Sequence, residues 1–155
     1  MAEEISRLLR NGSETIVQKW TEKVTSDRRV RSDSQLSYIQ LIDHIPQIVE
    51  ELQAALATNG DASRRMLQEG RNHGRQRWSQ GYELKEVVRE LTLLRLTLME
   101  FIDTYRGALT LHSPEDIAQS YLKINGFLDE ELYRTVEAYL EAPQEQPSGG
   151  AASVS

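Results

Sequence analysis

His73 and Arg77 stand four residues apart, one helical turn, in a stretch that also holds Gly70, Gly74, Trp78, Gly81 and Tyr82. A guanidinium offers a bidentate fork and an imidazole a single donor. On one helix face the pair could hold a carboxylate, a propionate or another anion. Trp78 and Tyr82 lie beside them and complete a candidate binding set. The plainer alternative is structural: Arg77 pairs with an acid of a neighbouring helix, and His73 caps a carbonyl. On a wheel of about 100° per residue, Met66, Gly70, His73 and Arg77 share one face, with Gly74 and Gly81 at its edge. Arg64, Gln68, Arg71 and Arg75 form the opposite, solvated face. Each helical glycine costs about 1 kcal/mol relative to alanine. Keeping both Gly70 and Gly74 therefore implies close approach by another helix or by a ligand.

Arg95 is a second anomaly. It falls among Val88, Leu91, Leu98 and Ile102, within an apolar stripe, where an unpaired guanidinium costs several kcal/mol. Asp43, Asp129 and Glu130 are its candidate partners, and ion pairing is its expected role. Glu90, on a different side of the same helix, is expected to reach outwards, towards Arg77. The remaining constellations are thin. No two of His44, His73 and His112 are three or four apart, so a helix-borne zinc pair is absent. His44 or His73 would have to serve as a lone axial ligand for haem, and a lone histidine near an apolar face is more often structural, so no cofactor is expected. The phosphate-loop and Gly-x-Ser-x-Gly patterns are missing, and no paired carboxylates stand beside a base.

The elements that must position these residues are helical throughout, because strand-type alternation is essentially absent. A short first helix ends at Asn11-Gly12. Ser13 is the expected N-cap of a second, with Ile16, Val17, Trp20 and Val24 on one face. Ser26 to Ser34 reads as a polar loop. A third helix is expected over 37–58, striped by Leu41, Ile45, Ile48, Val49, Leu52 and Leu56. Pro46 must kink it or mark its true start, and Asn59-Gly60 is its stop. A fourth covers 62–80 and ends at Gly81. The fifth, 83–106, carries Leu84, Val87, Val88, Leu91, Leu94, Leu98, Phe101, Ile102 and Tyr105. Leu93 and Leu96 point elsewhere, so this helix is apolar most of the way round and is either central or serves a partner as well. The sixth opens at Ser113-Pro114-Glu115-Asp116, a cap followed by proline and two acids. Its stripe is Ile117, Tyr121, Ile124, Leu128, Leu132 and Tyr139. The expected fold is an all-α bundle of five to six helices over residues 1–141. Residues 142–155, rich in Pro, Gly and Ser, read as a flexible tail or linker to a further portion.

Composition bounds the rest. The chain has 155 residues, 18 Lys and Arg against 24 Asp and Glu, and a net charge of −6. That length suits one domain with a real core. The acidic balance argues against a nucleic-acid footprint over the surface. No apolar run approaches the ~20 residues of a membrane helix. Cysteine is absent, which removes disulfides and thiolate metal sites. With no signal-like start, a cytoplasmic location is expected.

The stretch His73-Gly74-Arg75-Gln76-Arg77-Trp78-Ser79-Gln80-Gly81-Tyr82-Glu83-Leu84, followed by Glu86-Val87-Val88-Arg89-Glu90-Leu91 and Leu94-Arg95, resembles the signature of the RsbRD N-terminal domain family. Leu41-Ile42-Asp43-His44-Ile45-Pro46 is similar to that family's entry into its second long helix. His73, Arg77, Gly81, Glu90 and Arg95 match the motif. The resemblance implies a cytoplasmic, usually dimeric input domain of bacterial sensor histidine kinases and stressosome co-antagonist proteins, without catalysis of its own. It also implies a globin-like helical fold lacking haem, and a downstream kinase or regulatory output domain. The alternatives are a protein–protein adaptor with no small ligand, a haem- or bilin-binding sensor, and a small helical enzyme. All readings require the glycine-lined flank of the His73 helix to turn inward, towards the Leu-rich helix after Tyr82.

Overall fold

Among the described residues, glycine, proline and capping residues mark off seven α-helical segments. The computed structural model describes residues 2–30, 37–42, 45–57, 63–108 and 113–143. The segments are α1 (Ala2–Asn11), α2 (Ser13–Ser26), α3 (Tyr38–Ile42), α4 (Ile45–Ala57), α5 (Ser63–Ser79), α6 (Leu84–Tyr105) and α7 (Pro114–Glu141). A single 3-10 turn, Arg106–Ala108, follows α6. Because α3 is only five residues long, six helices of substantial length build the bundle, and no strand occurs among the described residues.

Local chemistry explains most boundaries. Gly12, not Ser13, occupies the N-cap of α2, and no side chain caps that helix. The Gly12 N–H still reaches Leu8 O and its own carbonyl accepts from Ile16, so α1 runs almost directly into α2. The expected third helix is two segments, with residues 43 and 44 outside the described residues. Pro46 lacks the N–H that would bond back to Ile42, so it sits in the first turn of α4, where that donor is not needed. The stop expected at Asn59-Gly60 also lies outside the described residues. At the start of α6, the Glu86 carboxylate accepts the Glu83 N–H at 2.8 Å. Ser113 and Asp116 form the reciprocal cap of α7, with Pro114 in its first turn. That helix runs 28 residues to Glu141, and Ala142 turns extended.

The helices pack in three main pairs, α1 on α4, α2 on α6 and α5 on α7. The expected stripe of α4 is buried in full, as are Ile16, Val17, Trp20 and Val24 of α2. In α6, Val87, Leu91, Leu93, Leu94, Leu98, Phe101 and Ile102 are buried, while Leu96 and Tyr105 are exposed. Ile124 and Leu128 of α7 are core; Ile117, Tyr121, Leu132 and Tyr139 are only partly covered. Gly70 and Gly74 are there for helix α7. A Cβ on Gly74 would stand 2.9 Å from Ala138 Cβ and 3.0 Å from Thr135 O. One on Gly70 would stand 2.7 Å from Arg134 Cβ. The glycine flank therefore turns inward as expected, but towards α7 rather than towards α6.

Candidate functional site

The end of α5 is closed by a left-handed glycine. Gly81 has φ 84°; its N–H bonds to Trp78 O, and the Tyr82 N–H bonds back to Arg77 O at 3.0 Å. This paired Schellman closure returns the chain sharply onto the last turn of the helix. Its consequence is that the Tyr82 ring lies under the Arg77 guanidinium, 4.7 Å from centroid to Cζ. The Tyr82 carbonyl accepts the Tyr139 hydroxyl of α7 at 2.7 Å.

Arg77 is the centre of the cluster. It is fully buried, and every nitrogen of its guanidinium is engaged within the protein. Nε donates to Glu90 Oε1 and Nη2 to Glu90 Oε2, both at 3.1 Å. Nη2 also donates to Leu41 O (2.6 Å), and Nη1 to Gln40 O (3.2 Å) and Gln80 Oε1 (2.7 Å). The Glu90 carboxylate is 1% exposed, and its backbone carbonyl accepts Trp20 Nε1 at 3.0 Å. A fork-to-fork ion pair with this many further acceptors is the geometry that offsets the desolvation of two buried charges. One side chain thus joins α3, α5 and α6, and Trp20 adds α2.

His73 sits one turn earlier, wholly buried, on the flank that meets α7. That contact carries a second polar set. Glu131 and Thr135 are fully buried, and Thr135 Oγ1 donates to Gly70 O (3.3 Å) and Glu131 O (2.8 Å). Glu131 Oε2 lies 3.2 Å from where a Gly70 Cβ would stand. The missing side chain of Gly70 is what gives that carboxylate its place.

The structure corrects several expectations. Glu90 does pair with Arg77, but inwards, since the turn at Gly81 folds α6 back against α5. Arg95 pairs with Asp129, one of its expected partners, yet at 35% and 65% side-chain exposure. Its long stem carries the charge to the edge of the α6–α7 contact, so no buried charge arises. His73, Arg77 and Tyr82, candidates for a ligand-accepting face, are enclosed by protein, and Trp78 is partly exposed; Arg77 takes the plainer alternative, an acid of a neighbouring helix. Gln80, Trp20, Glu131 and the α3 carbonyls belong to the cluster although spacing did not single them out. Gln80 had a signal, being three residues after Arg77. Glu131 had one too, since Ser120, Ile124, Phe127, Glu131, Thr135 and Ala138 recur at three and four along α7. Among the described residues no group of three or more His, Asp or Glu could hold a metal ion, and no helix is long and apolar enough to cross a membrane.

The model of the RsbT co-antagonist protein rsbRD N-terminal domain matches residues 14–153. The chain belongs to this family and is a stressosome-related regulatory domain. Neither a curated protein nor a solved structure matches it.

Proposed function

We propose that the domain is a non-catalytic input module that works as a homodimer in the cytoplasm, passing a helix rearrangement through α7 to a regulatory or histidine-kinase output portion. The observation that carries this reading is the outer face of α7. Leu122, Gly126, Asp129, Tyr133, Val136 and Leu140 follow one another at intervals of four, three, four, three and four. Leu122, Tyr133 and Leu140 are 66%, 59% and 77% exposed, and a Cβ on Gly126 would meet nothing within 4 Å. Positions 122, 129 and 136, and again 126, 133 and 140, recur every seven residues, and a heptad repeat keeps such a seam facing a partner helix along its whole length. The opposite face of the same helix holds Glu131, Thr135 and Ala138 against α5. A shift of α5 is therefore felt at the seam, because packed helices move as discrete units. The family name favours a stress-regulatory output over a kinase. The packed state of the His73 and Arg77 face favours signalling through protein contacts over a small ligand at that face.

The test is the mass in solution by light scattering at high micromolar concentration. The wild type is expected to be a dimer. Leu122→Arg with Leu140→Glu is expected to be a monomer with the wild-type helix content and a melting temperature that no longer depends on protein concentration. A monomeric wild type, or a dimer that survives both substitutions, overturns the reading.

A further inference from the structure

The turn leaving α2 and the first turns of α6 enclose a surface cleft of about 490 Å³, within the size range of small-molecule sites. None of the candidate residues above lines it. One wall is a pinned turn. Asp27 Oδ1 accepts the Arg29 N–H at 2.8 Å, the Val30 N–H reaches Asp27 O, and the Val30 side chain is buried. Between these anchors Arg28 and Arg29 are held out into solvent. The other wall is one face of α6, where Lys85, Val88, Arg89 and Thr92 succeed each other at helical spacing. Arg89 Nε is fixed by Asp27 Oδ2 at 2.8 Å, which ties the two walls together.

The charge on this cleft runs against that of the chain. Four cationic side chains line it against Glu83 and Glu86, and the Asp27 carboxylate at its edge is taken up by Arg89; the excess is still positive in a molecule of net charge −6. Both glutamates are committed: Glu86 accepts the Glu83 N–H, and Glu83 pairs with Lys85 at 3.1 Å. Arg28 and Arg29 are committed to no acid among the described residues. Like charges facing each other across a cleft repel, and a small anion with oxygens pointing to both walls removes that repulsion.

The geometry points to this cleft as a binding site for a compact phosphate-bearing dianion, a phosphate monoester of metabolite size. Its phosphoryl oxygens lie between Arg28 and Arg29 on one side and Lys85 and Arg89 on the other. Its body rests on Val88 and Thr92. Guanidinium forks suit phosphate oxygens, and lysine contributes a point charge. Such a ligand would clamp the α2 exit turn to α6 one residue before Glu90, the partner of Arg77, so occupancy is linked to the buried hub. The inference stands apart from the dimer seam, which lies on another helix.

The test is an amide NMR titration of the full chain with inorganic phosphate, glycerol phosphate and succinate, each against sodium chloride at equal ionic strength. Saturable shifts confined to residues 27–30 and 83–92 with either phosphate probe are expected. Arg29→Ser with Lys85→Ser, both on exposed side chains, is expected to weaken that binding at least about tenfold while leaving the melting temperature in place. Shifts with succinate alone overturn the phosphate assignment. Shifts that sodium chloride reproduces, or phosphate binding unchanged in the double variant, overturn the site.

Discussion

Removing the guanidinium of Arg77 tests the central packing argument. Arg77→Ala leaves Glu90, 1% exposed, without its counter-charge. It also strips donors from Leu41 O, Gln40 O and Gln80. Breaking a buried pair from one side costs about 3–5 kcal/mol, and each stranded buried acceptor adds roughly 1–3 kcal/mol before water relaxes in. A loss near 4 kcal/mol is a large part of the ~5–15 kcal/mol that holds a domain together. For a chain of this size it lowers the melting temperature by roughly 8–16 °C. Urea and thermal unfolding by circular dichroism measure it. The companion variants separate cause from mere damage. Arg77→Met with Glu90→Leu removes both charges and fills the space, and is expected to recover the part of the loss due to the stranded Glu90 charge, the acceptors Leu41 O, Gln40 O and Gln80 still lacking their donor. The cycle of single and double variants then shows a coupling of several kcal/mol. Arg77→Lys, which keeps the charge but not the fork, falls between, and it provides the reading if the alanine variant does not fold. A melting shift of Arg77→Ala within about 2 °C, or a double variant as unstable as the sum of the singles, would refute the buried hub.

Further outcomes follow from other contacts. Gly74→Ala is expected to destabilise by about 1–3 kcal/mol despite the better helix former, because the Thr135 backbone cannot give way. In the Leu122→Arg, Leu140→Glu background, where no partner covers the outer face of α7, Gly126→Ala is expected to stabilise the helix by up to ~1 kcal/mol; denaturant midpoints in that background that rank the two the other way would contradict the packing of α5 on α7. Tyr139→Phe removes the bond to Tyr82 O and is expected to cost about 0.5–1.5 kcal/mol by urea unfolding. Asp27 gives a pH signature. The Arg29 N–H first, and the Arg89 guanidinium next, hold its carboxyl below the ordinary 3.8. The folded state thus releases this proton more readily than the unfolded one. Its contribution is complete above about pH 4 and is lost as the pH falls through the lower folded value. The melting advantage of wild type over Asp27→Asn is therefore expected to be flat from neutral pH to about 4 and to shrink below it. An advantage that grows on acidification would contradict the assignment.

Much of the fold is legible in the residue order. The α4 stripe, the glycine ending of α5 and the capped start of α7 follow from spacing and local chemistry, while Asp129 was one of three acids that the sequence left open for Arg95. The cluster was half legible. That His73 and Arg77 share an inward face with two glycines follows from the helical period. What they meet does not, because Glu90 is thirteen residues beyond Arg77 and points to it only through the direction of the turn at Gly81. Trp20, the α3 carbonyls and Glu131 come from segments far along the chain, and no local pattern marks them as neighbours.

What the sequence determined by itself is most of the helices, the inward side of α2, α4, α5 and most of α6, and the family to which the chain belongs. These depend on periods and caps that act within a few residues. The tertiary structure alone decided that the glycine flank receives α7, that the Arg77 guanidinium is saturated by protein acceptors, and that Arg95 stays at the surface. Those outcomes depend on how helices distant in the chain cross, and a buried charge takes whatever partners that crossing supplies.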